Sequence, residues 1–568
     1  MTNPAPTGAA PTPPVPPTAP VPPTAALPPA ASSATRHLCA GAYLDEEFHR
    51  ASLNEVYHQT DRLVAPSYGF DLVAVLGHCL RARRLATVRD AVIVGGLVVA
   101  ACAAPLAMAA VFAVLITLYL VSSTWRLIQD TARELRRGRS ASAGLIFGRA
   151  VLVLFRFVGA SLVFVLLSGL LAVVAAVGAT VGGEAVGSDP THLLSLGMNP
   201  GLLLMLVLLV LAPPVAAGLV RQSRLEEFTP GRIPSPPSRS ARFDEIRRQE
   251  SGNTVAFSGY RPFVGSGFLW KNWGFAQRLV RAAGPLASLA PEGDREFTSA
   301  PFTAGELVDH LRGELTALTT EPEAERHIPG LTVDDRIFLA GTEVPNLAAF
   351  TEPGPVADII RHPTAPARHY LVCQVVSWRG ELVTTVYVHV AVQGKSLYVE
   401  FTSTALPPCD ERFRVVDQVD GTGFAAYLRA GFQGLLDAPL TIGRAPFNLL
   451  RAGFDALLNS SSVTSARPSR PGYDHGAKVG VRELGMAPDT RNHVQTQEID
   501  KYQRIVERRL LAAVLDFLES RGVDTGEYRQ RAMTVLNAGA VVTGGSLTVH
   551  GDITSTQTNT GGDSGGGQ

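Results

Sequence analysis

Arginine-flanked apolar blocks, followed by a close series of β-branched runs, predict an α-helical transmembrane region joined to a cytoplasmic α+β region. The apolar blocks are Ala91–Val121, Val151–Val181 and Gly201–Val220, and about 20 such residues suffice to cross the hydrocarbon core of a bilayer. The β-branched runs are His369–Ser377, Glu381–Val392 and Ser396–Ser403, joined by Arg379-Gly380 and Gln393-Gly394. That alternation of strand and turn is the pattern of an antiparallel meander.

Residues 1–35 are mostly Pro, Ala and Thr, a composition too poor in large apolar side chains to bury a core, so a disordered arm is expected. They lack the basic and apolar regions of a signal peptide. Residues 36–90 follow as a small helical lead-in, with Leu44, Phe48, Leu53 and Val56 at roughly helical spacing. Asp71 and His78 have no third ligand nearby, so capping or packing is their expected role rather than metal binding.

Charge orients the membrane region, 91–221. Arg81, Arg83, Arg84 and Arg89 precede the first block, and Arg126, Arg133, Arg136, Arg137 and Arg139 follow it. The positive-inside rule places both flanks in the cytoplasm. An even number of crossings is then needed, which predicts two short helices turning near Ala103–Pro105, where Pro105 disfavours helix before it. Gly182–Asn199 carries Glu184 and Asp189 but no Lys or Arg, as an outside loop should. Four spans in the plasma membrane result, with both termini cytoplasmic. A three-span alternative reads the first block as one crossing and puts residues 1–90 outside. Arg156 is the one ionisable group set into an apolar run. Ion and substrate pathways are usually marked by such groups, so an anchor is favoured over a transporter.

A linker at 222–242 leads to the main cytoplasmic region, 243–460. Its first landmark is the run Asn253–Gly267 with the aromatics that crowd it, among them Tyr260, Phe263, Trp270 and Trp273. Two readings compete: a strand–turn–strand filling a core, and a partner or membrane contact through those four residues. A phosphate-cradling loop at Gly259, Gly265 and Gly267 lacks the GK[ST] continuation and loses a donor at Pro262. Thr303-Ala-Gly-Glu306 is a capping box opening a helix with Leu307, Val308, Leu311, Leu315 and Leu318 on one face. Residues 331–345 read as a further strand.

A short repeat follows. Leu428-Arg-Ala-Gly-Phe432 recurs as Leu450-Arg-Ala-Gly-Phe454, predicting two amphipathic helices that either pack on the domain or rest on the membrane through Phe432 and Phe454. After a link at 461–472, a C-terminal unit (473–545) contains a strong helix over roughly 497–521, with Gly522 at its end. Asp474, His475 and Glu483 form the nearest approach to an acid–base constellation, with no nucleophile motif or metal-ligand spacing beside them. The tail, 546–568, is rich in Gly and Thr, and alternation over 544–554 suggests a small β-element that could add to another chain's edge.

Composition narrows the function classes. There are 50 basic and 50 acidic residues, a balance that gives no pull toward nucleic acid. Only Lys271, Lys395, Lys478 and Lys501 are lysines, a bias toward arginine that fits a GC-rich bacterial genome. Cys39, Cys79, Cys102, Cys373 and Cys409 are scattered and never form CxxC, so reduced thiols are expected rather than a disulfide framework or zinc site. No cofactor is expected.

Several strings together carry a resemblance: Leu38-Cys-Ala-Gly-Ala-Tyr-Leu-Asp45, Ala65-Pro-Ser-Tyr-Gly-Phe-Asp71, Thr332-Val-Asp-Asp-Arg336, Leu406-Pro-Pro408, Tyr473-Asp-His-Gly-Ala477, Val535-Leu-Asn-Ala-Gly539 and, most specifically, Ser258-Gly-Tyr-Arg-Pro-Phe-Val-Gly-Ser-Gly267. Over residues 38–545 the chain resembles a group of uncharacterised actinobacterial multi-pass membrane proteins. The resemblance implies a membrane architecture and no particular chemistry. The expected function is therefore a membrane-anchored, non-enzymatic binding, sensing or scaffold protein, with the bilayer and a protein as partners and oligomerisation open. The alternatives are a membrane-tethered hydrolase or transferase using Asp474, His475 and Glu483, and a small-solute transporter.

Overall fold

The computed structural model describes residues 31–103, 111–125 apart from 113, 151, 200–237, 239–282, 295–321, 327–344, 348–459, 472–487 and 492–538. The block Val151–Val181 beyond its first residue, Arg156 and the β-element at 544–554 lie outside these, as does the Pro-rich arm up to residue 30.

The chain opens with two helices, α1 (Ser33–Leu44) and α2 (Glu46–Ser52). Ser32 caps the first by accepting from Thr35 N–H at 3.1 Å, and Asp45 caps the second. Helix α3 (Leu72–Ala103) then runs without a break from the arginine cluster into the first apolar block. The boundary placed at residue 91 is thus a change of surroundings, not of structure, because nothing between Arg81 and Ile93 disfavours helix. Asp71 caps its first turn, accepting from Ala74 N–H at 3.0 Å, and His78 packs edge-on against Phe228, ring centres 4.8 Å apart. The expected turn near Ala103–Pro105 falls at the edge of the described residues, and 104–110 lie outside them. A short apolar helix, Val114–Trp125, shares a core cluster with α3 through Leu115.

Helix α4 (Pro200–Leu225) carries Pro213 and Pro214. It lies antiparallel to α3, since His78 meets Phe228 at one end and Gly96 meets Leu209 further along. Among the described residues, two helices are long and apolar enough to cross a membrane, Leu72–Cys102 and Leu204–Phe228. The four expected spans therefore reduce to two candidates here.

The α+β region is built on one six-stranded mixed sheet in the order β1-β3-β4-β5-β6-β2. Its strands are β1 (Thr254–Phe257), β2 (Phe268–Arg278), β3 (Leu331–Ala340), β4 (Arg368–Ser377), β5 (Leu382–Gln393) and β6 (Ser396–Leu406). The meander β4–β5–β6 is antiparallel throughout, whereas β1 lies parallel to β3 at one edge. β1 and β2, neighbours in sequence, stand at opposite edges, so the 258–267 loop spans the width of the sheet.

Side chains alternate between two faces of the sheet, and the central strands β4 and β5 are largely buried on both. Leu371, Cys373 and Val375 of β4, Val386, Val388 and Val390 of β5, and Leu397, Val399 and Phe401 of β6 share one core cluster with Leu307, Leu311, Val514 and Phe517. Those partners come from the helices α6 (Ala304–Ala317) and α10 (His493–Ser520). α6 starts at Thr303, whose Oγ1 accepts from Glu306 N–H at 3.3 Å, and Gly522 follows α10 with φ +66°. Further helices are α5 (Ala241–Glu250), α7 (Pro353–Arg361), α9 (Val481–Leu484) and α11 (Gly526–Ala538). The second sheet face is covered in part by Ala65, Val264 and Ala477, which pack on Phe338, Tyr370 and Tyr387.

The repeated Leu-Arg-Ala-Gly-Phe motif does not form two helices. Both copies lie on one, α8 (Phe424–Asn459), which carries Pro439 and Pro446 inside it. A proline removes one backbone donor and strains its turn, but tertiary contacts can hold the helix on either side. Those contacts are close. Gly434 abuts the Pro214 carbonyl and Gly218 abuts the Ala430 carbonyl, with no room for a Cβ at either glycine.

Candidate functional site

Asp474, His475 and Glu483 are brought to one side of the sheet, but they work as clamps on separate neighbours. Asp474 accepts from Ser258 Oγ, from Gly476 N–H at 3.0 Å and from Arg62 Nη1 at 3.3 Å. Burial would raise its carboxyl, yet the Ser258, Gly476 and Arg62 donors hold it below the usual range. His475 is buried, with Nδ1 2.6 Å from the Asp61 carbonyl. Glu483 accepts from the N–H groups of Gly265 (2.9 Å), Gly267 (3.1 Å) and Gly480 (2.8 Å). Its burial outweighs those three donors and pushes its pKa up.

The glycine-rich loop does cradle an anion: the protein's own Glu483. Gly265 and Gly267 have φ of +88° and +86°, and a Cβ there would lie 2.7 Å from the Pro66 carbonyl and 2.2 Å from the Ala405 carbonyl. Both glycines are demanded by left-handed backbone and close packing. The Gly265 and Gly267 donors are thus used on Glu483.

The aromatics divide by surroundings. Phe263 stacks on Tyr387 at 4.2 Å. Trp270 donates to Asp500 at 2.9 Å, and Trp273 donates to Glu507 at 2.7 Å while stacking on Phe401. These three are internal supports. Tyr260 stands fully exposed at the loop tip, and Phe432 and Phe454 are 52% and 65% exposed on α8. Only these last three could meet a partner.

A second cluster joins four segments far apart in sequence. His37 bridges two carboxylates, with Nδ1 2.6 Å from Glu381 and Nε2 2.7 Å from Asp417. Arg36 also donates to Asp417 at 3.0 Å. The fully buried Arg482 donates to the Cys409 thiol and to the carbonyls of Glu381 and Pro407, both at 2.9 Å. Burial alone would raise Glu381, but His37, Arg482 and the Cys409 N–H hold it down at about 2. His37, Glu381 and Cys409 offer nitrogen, oxygen and sulfur atoms within 4.8 Å of one another, a donor set a soft metal could use. It is a poor fit. Both His37 nitrogens are taken, burial pushes the Cys409 thiol well up, and the Arg482 guanidinium already supplies the positive charge. The cluster is a charge-balanced lock between the N-terminal helices and the sheet region. No sequence pattern announces it, because its members lie up to 446 positions apart (Arg482 and Arg36).

The remaining site is the contact of α3, α4 and α8. In an antiparallel pair that matches 78 with 228 and 96 with 209, residues 90 and 215 stand at one height. Gly434 touches Pro214 and Val215, while Asn448 donates to Asp90 at 3.2 Å. Two points of α8 separated by about 20 Å of helix thus meet the pair at the same height. α8 therefore meets α4 through its first half and α3 through its second, while Ala438, Ile442 and Ala445 between them pack in one cluster with Ile93, Ala100, Leu206 and Val210. That height divides Arg81, Arg83, Arg84 and Arg89 from the apolar stretch of α3, and Arg221 and Arg224 from that of α4. Inward, α8 buries Ala430, Ala438, Ile442 and Ala445; outward it exposes Phe424, Leu428, Phe432, Phe447, Leu450, Phe454 and Leu457. Trp125 packs edge-on against Phe432, ring centres 6.5 Å apart.

Residues 272–550 match the family model of the AbeC-like domain. No curated protein and no solved structure matches the chain. The matched span begins within β2 and takes in β3 to β6, their helical cover and α8, but neither β1, α3 nor α4. The part similar to AbeC-like domains is thus most of the α+β region together with the helix that joins it to the apolar pair.

Proposed function

We propose that the protein is an integral membrane protein whose α+β region works on the cytoplasmic face as a binding, sensing or scaffold module. In this reading α8 lies along the inner leaflet and fastens that module to the membrane. The carrying observation is the row of seven large apolar side chains left exposed on α8, at the height where arginines give way to apolar helix. Apolar patches of that kind mark interaction surfaces, and here Trp125 and the flanking arginines suit a bilayer interface.

The topology proposed is four spans with both termini inside. Contact of His37 with Glu381 favours an even number of crossings between α1 and the sheet, since both residues need the same side of the membrane. Trp125 against Phe432 favours a first block that returns to the side it left. Likeness to multi-pass actinobacterial proteins agrees with this.

Compartment reporters fused at the chain start, Ser140 and Asp189 test it. Inside, inside and outside are expected in that order. An exported reporter active at the chain start overturns the topology, and release of the intact protein from membranes by alkaline carbonate overturns the anchor.

A further inference from the structure

A groove of about 560 Å³ opens between α3, α4 and α8, closed at one end by α1 and α2. One wall is apolar: Leu85, Val88 and Val92 from α3, and Ala216 and Val220 from α4. Val88, Val92 and Val220 are 61%, 50% and 39% exposed, so protein leaves this wall uncovered. Arg89 and Arg221 also line the groove, one from each helix of the pair. The Asp437 carboxylate of α8 lies within electrostatic reach of Arg221, as does Arg89, which itself donates through Nε to Asp90 at 2.8 Å, and Glu46 lines the groove as well.

A ligand for this groove needs an apolar body and a single anionic head able to accept from two arginines. Arginine is suited to that head because its planar fork binds phosphate oxygens in pairs. The arginines stand at the height where the helix pair changes from charged to apolar surroundings, and a lipid's phosphate sits at that depth. The volume falls in the range of small-molecule sites.

We infer that the groove binds one anionic phospholipid of the inner leaflet, with its phosphate between Arg89 and Arg221 and one acyl chain along Val88, Val92 and Val220. This rests on the membrane reading above. Because Gly434 and Thr441 of α8 also line the groove, a lipid seated there touches the element that joins membrane to module. The lipid would thereby favour the docked arrangement, as any ligand favours the state that binds it better.

The test uses the full chain in nanodiscs of phosphatidylglycerol and phosphatidylcholine in equal parts, with retained lipids counted by native mass spectrometry. One phosphatidylglycerol should be retained about tenfold over phosphatidylcholine. Arg221→Gln should weaken that retention about fivefold, the worth of one arginine near an anionic headgroup. Arg221→Lys should keep most of it, and Arg89→Gln with Arg221→Gln should abolish the preference. Circular dichroism of each variant shows whether it is folded. Equal retention of the two lipids, or an unchanged preference in the folded double variant, overturns the lipid site. Carbonate extraction of the same preparations separates the two readings. A protein that stays in the membrane without a lipid preference loses only this inference, and one that leaves the membrane loses both.

Discussion

The sheet and the antiparallel pair α3–α4 are both rich in Val and Leu, yet they treat those side chains in opposite ways. On the sheet, Val388, Val399 and Phe401 are at most 1% exposed. On the pair, Val98, Leu204, Met205 and Leu208 are 56% to 60% exposed. The first set is satisfied by protein, and in water the second would be a large standing cost. The difference teaches that one region meets its apolar demand within the protein and the other leaves it bare, which on the proposed membrane reading means two solvents. α8, with one face buried on the pair and the other bare, would stand where those solvents meet.

The largest effects should come from breaking the protein-solvated side. Phe401→Ala removes a ring stacked on Trp273 within the main core and should cost about 3–5 kcal/mol, read as a lower melting temperature. Leu208→Ala, on the pair, should change stability in detergent by less than about 0.5 kcal/mol. Equal losses in the two would mean that the pair's surface is covered by protein after all.

Arg482→Ala should cost about 3–5 kcal/mol, because it removes the guanidinium 3.7 Å from the buried Glu381 carboxylate and leaves the Glu381 and Pro407 carbonyls without their donor. Glu381→Gln in the same background should recover part of the loss. If Arg482→Ala instead left the melting temperature alone and changed metal content, the cluster would be a metal site and not a lock.

On the lipid-solvated side, Val98→Arg should hinder insertion by about 2.5–3.5 kcal/mol, seen as a larger carbonate-extractable fraction, with the sheet still folded. Phe432→Asp with Phe454→Asp should loosen the α+β region from the membrane, measured as faster protease cleavage between residues 459 and 472. Precipitation of that double variant would make α8 a core helix instead.

The smallest effect is a pH dependence. Burial, helped by the nearby Asp71, pushes Glu250 from the ordinary 4.5 up to about 7. The folded state therefore binds a proton that the unfolded state has lost between those values. Stability should fall as pH rises from about 4.5 to 7, by on the order of a few kcal/mol at most. Glu250→Gln should flatten that slope in a melting series. A slope unchanged by the substitution would place its source elsewhere.

The meander, the Thr303-capped helix and the long C-terminal helix were legible because each is written in a local period of two or three to four residues. The apolar pair was legible from composition. Less could be read where partners are distant. Glu483 and the glycines at 265 and 267 were each noticed, but their hydrogen bonds join positions more than 200 apart. The Leu-Arg-Ala-Gly-Phe copies looked like two helices because each copy was taken as a unit of its own, whereas packing against Pro214 and Asp90 holds one helix through Pro439 and Pro446.

By itself, then, the chain determines which segments seek lipid and which seek a dry protein core, since transfer out of water depends on side chains alone. It determines the strand and helix periods for the same local reason. Only the tertiary structure decides that β1 and β2 part to opposite edges, that Asp474 and Glu483 restrain a loop, and that one helix carries both repeats across the membrane pair. Those outcomes depend on which backbone carbonyl or guanidinium arrives beside a residue, and that neighbour lies hundreds of positions away.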